Sequence, residues 1–172
     1  MIKTWFHGSK KSSEVSDFKF KNAKTVDFRF ATEADIKQLL AVEREVYEEI
    51  PWTASHFKHE INENRYACFI VAEESGIILG YIGLRWDRKH TDFHISNFIV
   101  RKTEQGQGLG SELFDNALEL SKILKISKMS LEVALENRGA QGFYRKRGFE
   151  SERILSHYYS DGNDALEMLK EI

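Results

Sequence analysis

A chain of 172 residues that is 41% apolar can fill one core. Its 25 basic against 27 acidic side chains leave a formal charge of −2, which excludes a global field for nucleic acid or a membrane surface. The single cysteine, Cys68, sits inside the apolar run Tyr66–Val71, so no disulfide and no cysteine metal site is expected; with no span of ~18 apolar residues and no signal block, the expected setting is a reducing cytoplasm.

Residues 1–25 stand apart. Lys3, Lys10, Lys11, Lys19, Lys21 and Lys24 against Glu14 and Asp17 give this stretch +4, while the remainder carries −6. Trp5, Phe6, Phe18 and Phe20 interrupt it without a period. It reads as a basic N-terminal extension, either a loose arm or a strap laid over the domain, and residues 26–172 read as the domain proper. Val26–Phe30 alternates like a strand, and Thr32 with Asp35 three residues on starts a helix carrying Ile36, Leu39, Leu40, Val46 and Tyr47, with Pro51 ending that region. Thr53 or Ser55 caps a second helix running to about Asn62. Tyr66–Glu73 and Ile77–Trp86 flank Glu74-Ser75-Gly76 as a hairpin, and Phe93–Val100 is the next strand. Behind a glycine-rich turn, Leu109, Leu113, Phe114, Ala117, Leu118, Leu120 and Leu124 recur at helical spacing. A strand at Met129–Val133, a helix at Arg138–Arg147 and a hairpin of Ser151–Tyr159 with Ala165–Met168 complete the chain. The order β-α-α-β-β-β-α-β-α-β-β predicts an α/β (α+β) fold, with a mixed, mostly antiparallel sheet of six to seven strands flanked by helices.

The turn Gln105-Gly106-Gln107-Gly108-Leu109-Gly110-Ser111 stands between a strand and a helix. A helix start offers about four unpaired N–H groups and the positive end of the macrodipole, and glycines let phosphate oxygens come close to them. A P-loop is excluded because its G-x-x-x-x-G-K-[ST] motif is absent, and the dinucleotide fingerprint fails at its third glycine, where Ser111 or Leu113 stands. Glu132, 22 residues beyond Gly110, keeps a dinucleotide reading in view, as does the plainer reading of a turn that binds nothing.

Gln105-x-x-Gly108-x-Gly110 resembles the acetyl-CoA loop of the GNAT acetyltransferases. Asn97-Phe98-Ile99-Val100 before it, Leu131-Glu132-Val133 after the helix, and Asn137-x-x-Ala140-x-x-x-Tyr144-x-x-x-Gly148-Phe149 fall in the same family order. Pro51-Trp52 and the ending Tyr158-Tyr159 with Asp164–Met168 are similar to the subgroup that acetylates ribosomal-protein alanine N-termini. Two features depart from the pattern: Arg101–Glu104 replaces the usual proline after the Val100 strand, and the basic extension is additional.

The resemblance implies acetyl-CoA as co-substrate, bound by Gln105, Gly106, Gln107, Gly108, Leu109, Gly110 and Ser111 at the phosphates, by the main chain of Phe98, Ile99 and Val100, and by Asn137 and Tyr144. It puts the general base at Glu132 and the general acid at Tyr144. Elementary chemistry agrees: an α-amine, with a reference pKa of about 7.7–8.0, sheds its proton more readily than lysine at ~10.4, and a phenol near 10 can protonate a departing thiolate near 8.5. A solvated strand-end glutamate, a packing tyrosine and a plain helix-capping asparagine are the structural alternatives for Glu132, Tyr144 and Asn137. The subgroup's peptide-gripping walls correspond to Glu49, Trp52, Tyr158 and Tyr159. The expected acceptor is a protein or peptide N-terminus, such as that of a ribosomal protein; a small amine, a lysine side chain or a non-catalytic acyl-CoA-binding role are the other readings. His56/His59 and His90/His94 lack a third ligand, so no metal is expected, nor are nucleic-acid or membrane partners, and the chain is taken as a monomer or homodimer.

Overall fold

The computed structural model describes residues 13–22, 25–47 and 52–172. A short helix, α1 (Ser13–Ser16), precedes the predicted order: β1 (Asp27–Phe30), α2 (Ile36–Val46), α3 (Ala54–Asn62), β2 (Ala67–Glu74), β3 (Ile77–Trp86), β4 (Phe93–Val100), α4 (Leu109–Ile123), β5 (Lys128–Ala134), α5 (Arg138–Arg145), β6 (Glu150–Leu155) and β7 (Ala165–Glu171). Helix α2 stops at Val46, where Tyr47 turns extended; Pro51 lies outside the described residues. Thr53, not Ser55, caps α3, its Oγ accepting from the His56 N–H. No described helix is long and apolar enough to cross a membrane.

The seven strands form one sheet in the order β1-β2-β3-β4-β5-β7-β6, antiparallel except for β4 against β5. Helix α4 carries the chain from β4 to β5, and β7 inserts between β5 and β6. Side chains alternate across a strand, so β2 feeds two cores. Cys68, Ile70 and Ala72 face a cluster with Leu113, Phe114, Ala117 and Leu120 of α4, and Phe69 and Val71 face one with Leu39 and Val42 of α2 and Phe57 of α3. That double burial is why the strand reads as an unbroken apolar run.

The described residues before β1 pack on the sheet and α4. Val15, 1% exposed, and Phe18 enter the α4-side core, and the Phe20 ring stands edge-on to Phe18 and Phe30 at 4.7 and 4.8 Å. Asn116 of α4 brackets the Lys21 peptide, accepting its N–H at 2.9 Å and donating to its carbonyl at 3.3 Å. Opposite, Arg29 holds Asp35 through two N–H groups at 2.8 and 2.9 Å, and the Thr32 N–H and hydroxyl donate to the same carboxylate. Burial raises the Asp35 pKa, but the Arg29 and Thr32 bonds outweigh it and hold the carboxyl below its ordinary range.

Candidate active site

The site begins where the sheet comes apart. β4 and β5 pair only over Phe93–Ile95 and Met129–Leu131. A bulge at Ser96 shifts the register of β4 against β3, and from there to Val100 the strand has no partner on its β5 side. A cavity of about 510 Å³ opens in the gap, bordered by Asn97 and Phe98 of β4, Glu132 of β5, Asn137 and Tyr144 of α5, and an aromatic rim of Tyr47, Trp52 and Tyr159.

Beyond Val100 lies the glycine-rich turn. Gly106 and Gly108 have φ of 78° and 94°, the left-handed region that side chains disfavour, and a Cβ placed on either would meet nothing within 4 Å. Their glycines therefore serve the backbone path and leave the space above it clear. Gln105 and Gln107 fasten the turn by donating to the carbonyls of Val100 and Thr103, each at 2.9 Å. Gly108 caps α4, whose first internal bond runs from the Glu112 N–H to the Gly108 carbonyl at 3.1 Å. The N–H groups of Leu109, Gly110 and Ser111 thus precede the helical ladder. A Cβ on Gly110 would lie 3.8 Å from both Phe98, which lines the cavity, and Val100, so the start of α4 packs beside the cavity wall.

Tyr144 projects from α5 and is only 7% exposed, its ring among Phe98, Phe143 and Phe149. Burial pushes the phenol up well past its ordinary value, Tyr47 and Tyr159 add to this, and Arg147 opposes it; the hydroxyl keeps its proton at neutral pH. Asn137 caps α5 by accepting the Ala140 N–H at 3.0 Å, which leaves its amide N–H groups for other partners. Glu132 is half-buried with Oε2 3.2 Å from His94 Nε2. The His94 bond holds its carboxyl below the usual range, against burial, and the Tyr158 hydroxyl assists. Tyr158 is 49% exposed and stands edge-on to Tyr159 at 5.1 Å. Burial first, then Tyr158, Tyr47, Glu132 and Asp161, push the Tyr159 phenol up to about 12.

Of the predicted site residues, Phe98, Glu132, Asn137, Tyr144, Trp52 and Tyr159 meet at one cavity, and Tyr158 reaches it through Glu132. The Ile99 side chain is buried in the opposite core beside α2 and α3, which leaves only its main chain for a ligand. Glu49 lies outside the described residues. His94 and Tyr47 are additions. His94 precedes Glu132 by a helix and most of two strands, and only the β4–β5 register brings them together. Among the described residues no group of three or more His, Cys, Asp or Glu side chains is placed to hold a metal ion.

The profile of the GNAT acetyltransferase family matches residues 34–149. A Bacillus subtilis (strain 168) protein provisionally named a ribosomal protein bS18-alanine N-acetyltransferase is 42% identical over 119 residues, 69% of this chain and 78% of that one. An N-alpha-acetyltransferase of Sulfurisphaera tokodaii is 28% identical over 160 residues, 86% and 94% of the two chains. The crystal structure of Ard1 from Thermoplasma volcanium superposes with a TM-score of 0.77 at 27% identity, covering 86% and 98%. With the parted strands and the side-chain-free helix start, these likenesses settle the family: the chain belongs to the GNAT acetyltransferases and is an acetyl-CoA-dependent N-acetyltransferase.

Proposed function

We propose that the acceptor is the α-amine at the N-terminus of a protein, in the first place a ribosomal protein. One observation carries this reading: a carboxylate, Glu132, lines one cavity together with Tyr47, Trp52 and Tyr159, three aromatic rings suited to an extended peptide end. The names of the Bacillus subtilis and Sulfurisphaera tokodaii relatives support it. The buried lone cysteine fits a reducing cytoplasm as the setting.

The cleft fits acetyl-CoA. The open space over Gly106 and Gly108, with the leading N–H groups of Leu109, Gly110 and Ser111, suits a pyrophosphate; Gln105 and Gln107 hold the turn in that shape. The unpaired β4 main chain at Phe98, Ile99 and Val100 suits an amide-bearing arm, and Asn137 and Tyr144 close the far side. When bound, acetyl-CoA supplies a thioester carbonyl open to attack by an amine, with a thiolate to be released. Glu132 takes the proton that the attacking amine must lose, directly or through one water. Tyr144, kept protonated by its burial, holds a hydroxyl proton ready for the sulfur. The β4 N–H groups that lack a strand partner offer hydrogen bonds to carbonyl oxygen.

Incubation with labelled acetyl-CoA and a panel of N-terminal peptides, followed by mass spectrometry, tests the acceptor. Acetylation confined to α-amines of ribosomal N-terminal peptides is the expected result. Turnover of a small amine or lysine with those peptides unmodified would overturn it.

A further inference from the structure

The base reading leaves a row of polar side chains unused. His94 and Ser130 are register partners on adjacent parallel strands, and Asp92 and Glu132 lie two residues along from them on the same face. They touch in sequence. Glu132 Oε2 is 3.2 Å from His94 Nε2, His94 Nδ1 is 2.9 Å from Ser130 Oγ, and the Ser130 hydroxyl donates to Asp92 Oδ2 at 2.5 Å. Ser130 is buried, and the other Asp92 oxygen, Oδ1, is buried without a hydrogen-bond partner.

These contacts decide where protons sit. A serine hydroxyl has one hydrogen, and here it is spent on Asp92, so toward His94 the oxygen can only accept. Nδ1 must then carry a hydrogen. In a neutral ring Nε2 would turn a lone pair toward the Glu132 carboxylate, two acceptors at 3.2 Å, which is repulsive; one proton must lie between them.

Resting on the reading of Glu132 as base, we propose that His94, Ser130 and Asp92 form a proton outlet behind it. When Glu132 takes the amine proton at its free oxygen, the shared proton settles on Nε2, the Nδ1 proton passes to Ser130, and the Ser130 proton passes to Asp92 Oδ2. One proton enters at Glu132 and one arrives at Oδ2 of Asp92, which, half-buried just before β4, returns it to water. No bond between heavy atoms changes, and no co-reactant is needed. The relay takes away the imidazolium charge that holds the Glu132 carboxyl low, so that Glu132, left as the neutral acid, can keep the amine proton. Other charges near the row are already matched: Arg85, the β3 partner of His94, pairs with Glu60, and Glu167, the β7 partner of Glu132, pairs with Arg153. Tyr158 donates to Glu132 from the hairpin.

The test uses the full chain in two readouts. Nitrogen-15 NMR of the His94 ring, without acetyl-CoA, reports which nitrogen is protonated; turnover with saturating acetyl-CoA and whichever amine is accepted reports the outlet. In Ser130→Ala and Asp92→Asn the ring should leave the Nδ1-protonated form, and kcat should fall about 10-fold with the acceptor KM unchanged. Glu132→Gln is run beside them. If it abolishes turnover while both outlet variants keep the parent ring signals and kcat, the outlet alone is wrong. If Glu132→Gln turns over fully, the base reading fails and takes the outlet with it.

Discussion

At the glycine-rich end of the cleft, every group set to meet a ligand comes from the unbroken stretch 105–111, and most are main-chain N–H groups. The other end gathers Tyr47, Trp52, His94, Glu132 and Tyr159 from separate stretches of chain, and everything there is side chain. The difference teaches how each end can fail. A backbone cradle depends on φ angles at two positions, whereas a side-chain assembly depends on the register of strands distant in sequence.

The contrast is sharpest if the two ends can be disabled one at a time. Glu132→Gln keeps the shape of the acceptor end and removes its charge; kcat should fall about 10²- to 10³-fold while acetyl-CoA binding, followed by calorimetry, stays at the parent value. Loss of binding in that variant would break the division. Gly108→Val acts on the other end: a β-branched residue at φ 94° is strained by about 1–3 kcal/mol, so acetyl-CoA Kd should rise about 10- to 100-fold with the acceptor KM little changed. Tyr144→Phe sits between the ends and should lower kcat about 10-fold without moving either binding constant, measured by steady-state kinetics.

The smallest effect lies outside both ends. Asp35 is held low in the folded protein, so its contribution to stability is complete above the unfolded-chain carboxyl value of ~3.9 and is lost as pH falls through its own lower value. Arg29 is 38% exposed and screened, so Asp35→Asn should cost about 1 kcal/mol and lower Tm by about 2–4 °C at neutral pH. At a pH below both carboxyl values, the variant and the parent should melt together; a Tm gap that persists there would refute the assignment.

The same contrast governs what could be read from sequence. Strand, turn and helix around Gly108 follow from neighbours in the chain, and their bounds in the structure differ from expectation by a residue or so. The roles proposed for Glu132 and Tyr144 rest on spacing that a family resemblance supplies. His94 was visible only as half of a pair without a third metal ligand, because nothing local states that β4 runs parallel to β5 with His94 opposite Ser130. Tyr47 falls in the helical period of α2, and its turn to extended geometry at the helix end is a tertiary outcome. Phe18 and Phe20 showed no period because they pack as single side chains on Phe30 and the core, not as a face of an element.

The parting of β4 from β5 makes the molecule two leaves bound along a spine three residues long. Anything wedged between the leaves stitches them where the strands themselves do not. Occupancy should therefore be felt across the whole sheet as resistance to melting, about 2.7 kcal/mol at a hundredfold excess over Kd, and a guest that touches one leaf alone should bring the two no closer to acting as one.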